Sequence, residues 1–160
     1  MLTSELTRKD ALLAGMAGAA TLTAVHQAAR MVTDAAPRMD VMGKRAIEKV
    51  VHAGGEHDSS SAHHPSLYGM ALAGDMLFNG AYYSLATTWM RGAALGLAAG
   101  ACALLLPPKL GLGTPPKSEL LSNQVMTVAW YVLGGLAAAW TAQCLAARRA
   151  EQTREFVGGY

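Results

Sequence analysis

The sequence predicts an all-α integral membrane bundle of four transmembrane helices, with one short amphipathic helix at the membrane interface. Charged residues make up 15% of the 160 residues, whereas soluble domains carry about 25%. The charges also leave four uncharged stretches, at 11–29, 76–90, 92–108 and 120–147. The last stretch has 28 residues, which as a helix would be roughly 42 Å long and would exceed the roughly 30 Å hydrocarbon core of a bilayer.

The composition supports this class and excludes others. The 31 alanines and 17 glycines hold the mean hydropathy at +0.22, yet membrane helices use these small residues where they pack closely. A soluble helical bundle is the alternative. A net charge of +2 excludes a strongly basic nucleic-acid binder. The nucleotide-binding, serine-esterase, zinc-protease and dithiol motifs are absent, which favours a protein without catalytic activity.

The first half of the chain contains the first span and the amphipathic helix. The first span is predicted at 8–31, because Thr7 and Asp10 have the spacing of a capping box. A shorter helix at 37–53 begins at Pro37 and ends before a glycine pair. Its apolar residues share one face, so we expect it either at the membrane interface or resting on the bundle.

The second half contains the remaining spans of this single membrane domain. After a histidine-rich linker at 54–65, spans are predicted at 66–87, 88–106 and 120–147. Because only a short turn separates the second and third spans, we expect them to form an antiparallel helical hairpin. Pro107 and Pro108 are expected to end the third span.

Glycines define one face of the third span. Gly92, Gly96 and Gly100 recur every fourth residue, so another backbone can approach this face closely. Two partners remain open for this glycine zipper. One is a second chain in an oligomer, and the other is the chain's own second or fourth span, where Gly135 offers a matching small surface.

A candidate polar site lies inside the membrane around Asp75, near the middle of the second span. A carboxylate that faced lipid there would cost at least roughly 2.5 kcal/mol, so we expect it to face protein or water. At the predicted depths a pair between Asp75 and His26 is possible. The site is interpreted either as a proton relay, ion relay or ligand site, or as a structural hydrogen-bond clamp. Its residues are Asp75, Asn79, Tyr82, Tyr83, His26 and Arg30.

The linker region is a candidate site for a divalent metal. Four imidazoles and two carboxylates fall within residues 51–65, and Zn²⁺, Ni²⁺ and Cu²⁺ accept such ligands. A flexible linker rich in glycine and serine also holds histidines simply because they are soluble, so both interpretations stay open. The histidines are His52, His57, His63 and His64.

Several segments resemble small predicted membrane proteins of bacteria. They are His26-Gln27-Ala28-Ala29-Arg30, Pro37-Arg38-Met39-Asp40, Leu72-Ala73-Gly74-Asp75 with Asn79 and Tyr82-Tyr83-Ser84, and Leu110-Gly111-Leu112-Gly113. The resemblance implies a helical membrane architecture and assigns no site. It places the chain in a bacterial inner membrane. Basic residues are nearly balanced between the two sides, and of the two orientations we predict the one with both termini in the cytoplasm.

The sequence therefore predicts a role in assembly. The first hypothesis is an accessory or homo-oligomeric membrane subunit that acts through helix packing, with lipid and other membrane subunits as its partners. The alternatives are a small transporter or ion-conducting protein that uses Asp75, Asn79 and His26, and a metal-binding membrane protein that uses the linker histidines.

Overall fold

The computed structural model describes residues 6–33, 36, 39–53 and 65–158. Within these ranges the chain forms five helices and no strand, which confirms the all-α prediction. The helices are α1 (Arg8–Val32), α2 (Met39–Ala53), α3 (Pro65–Tyr83), α4 (Trp89–Lys109) and α5 (Leu121–Gly158).

Among the described helices, two are long and apolar enough to cross a membrane: α4, and α5 over Leu121–Phe156. Hydropathy and length therefore support two of the four predicted spans. The composition of the other two explains the difference, because α1 is rich in alanine, glycine and threonine and α3 contains Asp75, Asn79 and three tyrosines. Such residues lower the mean hydropathy of a helix without shortening it.

Three helix ends differ from the predicted boundaries. α3 ends at Tyr83 instead of 87, and α5 continues to Gly158 instead of ending at 147, because the polar residues after 147 are good helix formers. α4 passes through Pro107 and Pro108 to Lys109, so the prediction that these prolines end it at 106 is wrong. A proline removes one amide donor but leaves other hydrogen bonds intact, and the Leu110 amide still donates to the Leu106 carbonyl over 3.0 Å.

The four long helices pack in the order α4, α5, α1, α3, each antiparallel to the next. α3 and α4 are joined by a short turn, but α3 packs on α1 while α4 packs on α5. The two helices run antiparallel as predicted, but they make little direct contact, so the prediction that they are neighbouring helices is wrong. A hydrogen bond of 3.0 Å from the Tyr82 hydroxyl to the Leu95 carbonyl links α3 and α4.

Glycines set the distance between α4 and α5. A Cβ at Gly96 would lie 2.5 Å from Val132 Cα, and one at Gly100 would lie 2.7 Å from Val128 Cα. Further along, a Cβ at Gly135 would meet the carbonyl oxygen of Gly92. Of the two partners that the sequence left open for the glycine face of α4, the structure places the chain's own last helix there, so this face is not available to a second chain.

Close backbone contacts at glycines also join α1 to its two neighbours, α3 and α5. Gly15 lies against the backbone of Gly80 on α3, and Gly18 lies against the Gly134 carbonyl on α5. Of the adjacent pair on α5, Gly134 thus contacts α1 and Gly135 contacts α4. Close backbone packing of this kind is frequent between membrane helices.

The start of α1 is fixed to the far part of α5. The predicted capping box is present, since the Thr7 hydroxyl accepts from the Asp10 amide over 3.2 Å and the Thr7 amide donates to the Asp10 carboxylate. The Arg149 guanidinium donates to both oxygens of the same carboxylate, one bond measuring 3.0 Å. The N-terminus of α1 and the C-terminal part of α5 therefore lie at the same end of the bundle, and their cytoplasmic placement stays a prediction.

α2 lies at the opposite end of the bundle, against α3 and the loop after α4. Gly43 faces the Ala71 side chain, while Arg45 donates to the Leu112 carbonyl over 2.9 Å and Lys49 donates to the Leu110 carbonyl. The loop can present these carbonyls because Gly111 and Gly113 adopt positive φ angles of 69° and 77°. α2 is thus held by protein contacts as well as by its amphipathic pattern.

The described bundle has small residues inside and large apolar residues outside. Alanine and glycine fill most of the helix contacts, with Leu22, Tyr83 and Trp130 as the large buried side chains. Each of the four long helices exposes large apolar side chains. They include Leu12, Leu13, Leu77, Phe78, Leu97, Leu105, Leu121, Val125, Leu133 and Trp140. The exterior of the described bundle is therefore rich in large apolar side chains.

Candidate functional site

Polar and aromatic side chains from α1, α3 and α5 meet at one level of the bundle. The Thr23 hydroxyl lies 3.4 Å from the Met76 sulfur, which aligns α1 with α3. The His26 ring lies 4.8 Å from the Trp130 ring, centroid to centroid, which aligns α1 with α5. We call this level the polar layer, and it comprises Asp75, Asn79, Tyr82, Tyr83, His26 and Tyr131.

Asp75 and Asn79 form a pair on α3. The Asn79 amide nitrogen donates to a carboxylate oxygen of Asp75 over 2.8 Å, as the spacing of one helical turn allows. Asn79 is buried, whereas Asp75 is exposed in the single chain. Among the described residues, Asn79 is the hydrogen-bond donor to the Asp75 side chain.

The two tyrosines of the polar layer connect α3 to the other helices. Tyr83 is fully buried, and its hydroxyl donates to the Tyr131 carbonyl of α5 over 2.7 Å. The Tyr82 hydroxyl donates to α4 at Leu95. Both hydroxyls donate to backbone carbonyls. The two tyrosines of the predicted polar stripe therefore link α3 to α4 and to α5.

His26 lies edge-on to Trp130, and its ring centroid is 6.1 Å from that of Tyr131. Asp75 is close enough to the Tyr131 side chain to interact with it electrostatically. The Tyr131 ring is thus near His26 and within electrostatic range of Asp75, and direct pairing of His26 with Asp75 stays a prediction. Arg30 lies one turn further along α1, with its guanidinium 3.5 Å from the Gln27 side-chain oxygen.

Asp75 stands at the edge of an open surface on α3. We call this surface the α3 outer face; its exposed residues are Gly69, Met70, Ala73, Gly74, Leu77 and Phe78. A Cβ added at Gly69 or Gly74 would meet nothing within 4 Å. These two glycines thus differ from those of α4, which are covered by α5.

The linker histidines fall mostly outside the described residues. His57, His63 and His64 lie in the undescribed range 54–64, and His52 lies at the end of α2 without a described side chain. Over the described ranges, histidine, cysteine, aspartate and glutamate do not come together in a group that could hold a metal ion. The metal site at the linker stays a prediction.

Tyr131 is the residue of the polar layer that the sequence analysis missed. It belongs to the longest uncharged stretch, where its aromatic neighbour and the glycine pair that follows suggest helix packing. The sequence signal that could have found it is a tyrosine in the middle of an apolar helix, because a buried tyrosine hydroxyl needs a hydrogen-bond partner.

Comparisons with known proteins identify no relative of this chain. No protein-family model matches the chain, and neither the curated proteins nor the solved structures contain a match.

Proposed function

We propose that this chain is a four-span membrane protein that acts as a subunit of a membrane assembly, with a second copy or another membrane protein as its partner. The distribution of residue size supports the membrane part of the proposal. α1 and α3 expose large apolar side chains as α4 and α5 do, and lipid is the medium in which such an exterior is stable. The antiparallel order of the four long helices suits alternating passage through a bilayer.

The exposure of Asp75 is the observation that carries the assembly part. A carboxylate at the centre of a membrane helix is costly in contact with lipid. Within the described chain, Asn79 donates to one oxygen of Asp75, and Asp75 as a residue is exposed at the surface of the single chain. On the outer face beside it, Gly74 is uncovered, and at this small residue a partner helix could approach and cover the carboxylate. A subunit contact at α3 therefore removes the cost that the isolated chain would carry.

Substitutions on α3 test this contact. We expect the purified wild-type protein in mild detergent to have the mass of more than one chain, and Gly74→Ile to reduce that mass at least twofold because the side chain blocks the close approach. The measurement is light scattering coupled to size-exclusion chromatography. Ala98→Ile, at an exposed position of α4, is the matched control and should leave the mass unchanged.

A second variant separates assembly from an internal clamp. Asp75→Leu should also give single chains, because it removes a carboxylate that needs cover. Since it also leaves the buried Asn79 amide without its acceptor, thermal stability is compared in the double variant Asp75→Leu, Asn79→Leu, which should be as stable as wild type or more stable. A lower unfolding temperature of the double variant would indicate a clamp instead. A wild-type mass of one chain would refute self-assembly and leave another membrane protein as the partner, whereas equal masses above one chain for wild type and Gly74→Ile would refute the contact at α3.

A proton- or ion-conducting protein is the second candidate, and the polar layer favours it by placing His26, Tyr131 and Asp75 at one level. Proteoliposomes with a pH-sensitive dye inside provide the test. If this candidate is right, wild type dissipates an imposed pH gradient and Asp75→Asn slows the decay at least tenfold, while Glu119→Gln in the loop leaves it unchanged. If the pH gradient decays no faster in wild-type proteoliposomes than in protein-free liposomes, proton or ion conduction is refuted.

A further inference from the structure

A groove of about 1010 Å³ runs along the outside of α4 and α5 and ends at the loop between them. Its walls are almost entirely apolar side chains, represented by Leu97 and Leu105 from α4 and by Val125 and Leu133 from α5. Polar residues occur at the loop end, where Glu119 and Gln124 line the groove. The groove is thus apolar along its length and polar at one end.

The length of the groove matches one leaflet of a bilayer. On α5 the lining runs from Leu121 to Leu133, which is roughly 18 Å at the helical rise. Half of the hydrocarbon core is about 15 Å thick. With the loop at the membrane surface, the apolar part lies at the depth of the acyl chains and Glu119 lies at the depth of the headgroups.

The charges at the loop end complement a headgroup that carries both signs. Glu119 is an anion on the groove wall, and Lys109 and Lys117 are exposed cations at the end of α4 and in the loop. Within the described part of the chain, none of these three side chains has an ion-pair partner. A phosphate suits the two lysines and a primary ammonium suits the carboxylate.

We propose that the groove between α4 and α5 binds one phosphatidylethanolamine molecule of the bilayer, with an acyl chain along the helices and the headgroup amine at Glu119. This inference rests on the membrane placement in the proposed function and is independent of the α3 contact.

Retention of lipid by the purified full-length protein tests the proposal. The protein in mild detergent is mixed with phosphatidylethanolamine, phosphatidylcholine or phosphatidylglycerol of equal chain length, and bound lipid is counted by native mass spectrometry. We expect one phosphatidylethanolamine per chain, held at least tenfold more tightly than phosphatidylcholine. Ala129→Phe, at an exposed position in the groove, should abolish retention because the ring obstructs the path of the acyl chain. Ala24→Phe, at an exposed position of α1, should leave it unchanged.

Glu119→Gln separates the headgroup contact from the chain contact. It should reduce the preference for phosphatidylethanolamine over phosphatidylglycerol at least threefold while lipid still binds. Equal retention by wild type and Ala129→Phe, or no preference among the three lipids, would overturn the proposal. Carbonate extraction of membranes is the separate check on placement: protein released into the aqueous phase refutes the proposed function, whereas protein that stays in the membrane without retaining lipid refutes only this inference.

Discussion

Gly135→Ala is expected to destabilise the bundle by about 2 kcal/mol, although it adds a single methyl group. The new Cβ would meet the carbonyl oxygen of Gly92, so α4 and α5 must move apart. Separation also weakens the contacts at Gly96 and Gly100, since all three glycines of α4 face α5. The free energy of unfolding can be measured by titrating the protein from mild detergent into sodium dodecyl sulfate and following helix content.

Gly69→Ala is the matched control for this prediction. Gly69 lies in the helical part of α3, where an added methyl meets nothing within 4 Å. Alanine is favoured over glycine in a helix interior by about 1 kcal/mol, so this variant should be as stable as wild type or more stable. If both variants unfold at the same point as wild type, the α4–α5 contact is looser than the structure indicates.

Tyr83→Ala is expected to cost about 3 kcal/mol. The ring is fully buried and lies against Gly134, so truncation leaves a cavity between α1, α3 and α5. It also removes the hydroxyl that donates to the Tyr131 carbonyl. Tyr83→Phe keeps the ring and should cost about 1 kcal/mol, the usual net value of one hydrogen bond.

Trp140→Ala serves as the control for aromatic truncation. This ring is 60% exposed on α5, so its removal leaves no internal cavity and should change the free energy of unfolding by less than about 1 kcal/mol. The same denaturant titration applies. A loss for Trp140→Ala as large as that for Tyr83→Ala would mean that ring size, and not burial in the helix contact, determines the cost.

Local signals predicted the helices of this chain well. The capping box at Thr7 is where its spacing places it, and every predicted span corresponds to a helix. The spacing of Gly92, Gly96 and Gly100 predicted a close helix contact, and the small residues Gly135 and Gly15 take part in such contacts. These features are encoded within one or two helical turns, so a sequence displays them directly.

Partner choice could not be predicted in the same way. A face of small residues indicates that a backbone approaches but does not identify that backbone. The glycines of α4 were compatible with α3, α5 or a second chain, and the structure places α5 there. Tyr131 was missed for a related reason. Its carbonyl accepts a hydrogen bond from the Tyr83 hydroxyl. The helix alignment that brings these two groups together depends on contacts between residues far apart in the sequence.

The position of α5 determines the order in which the bundle can be completed. It packs against both α1 and α4, yet among the described helices the ribosome makes it last. In the proposed membrane bundle, α1 and α3 can pair as soon as both have been inserted, whereas among the described helices the glycine face of α4 has no partner until α5 arrives. The described bundle is therefore completed in one late step, in which α5 joins α4 to the α1–α3 pair.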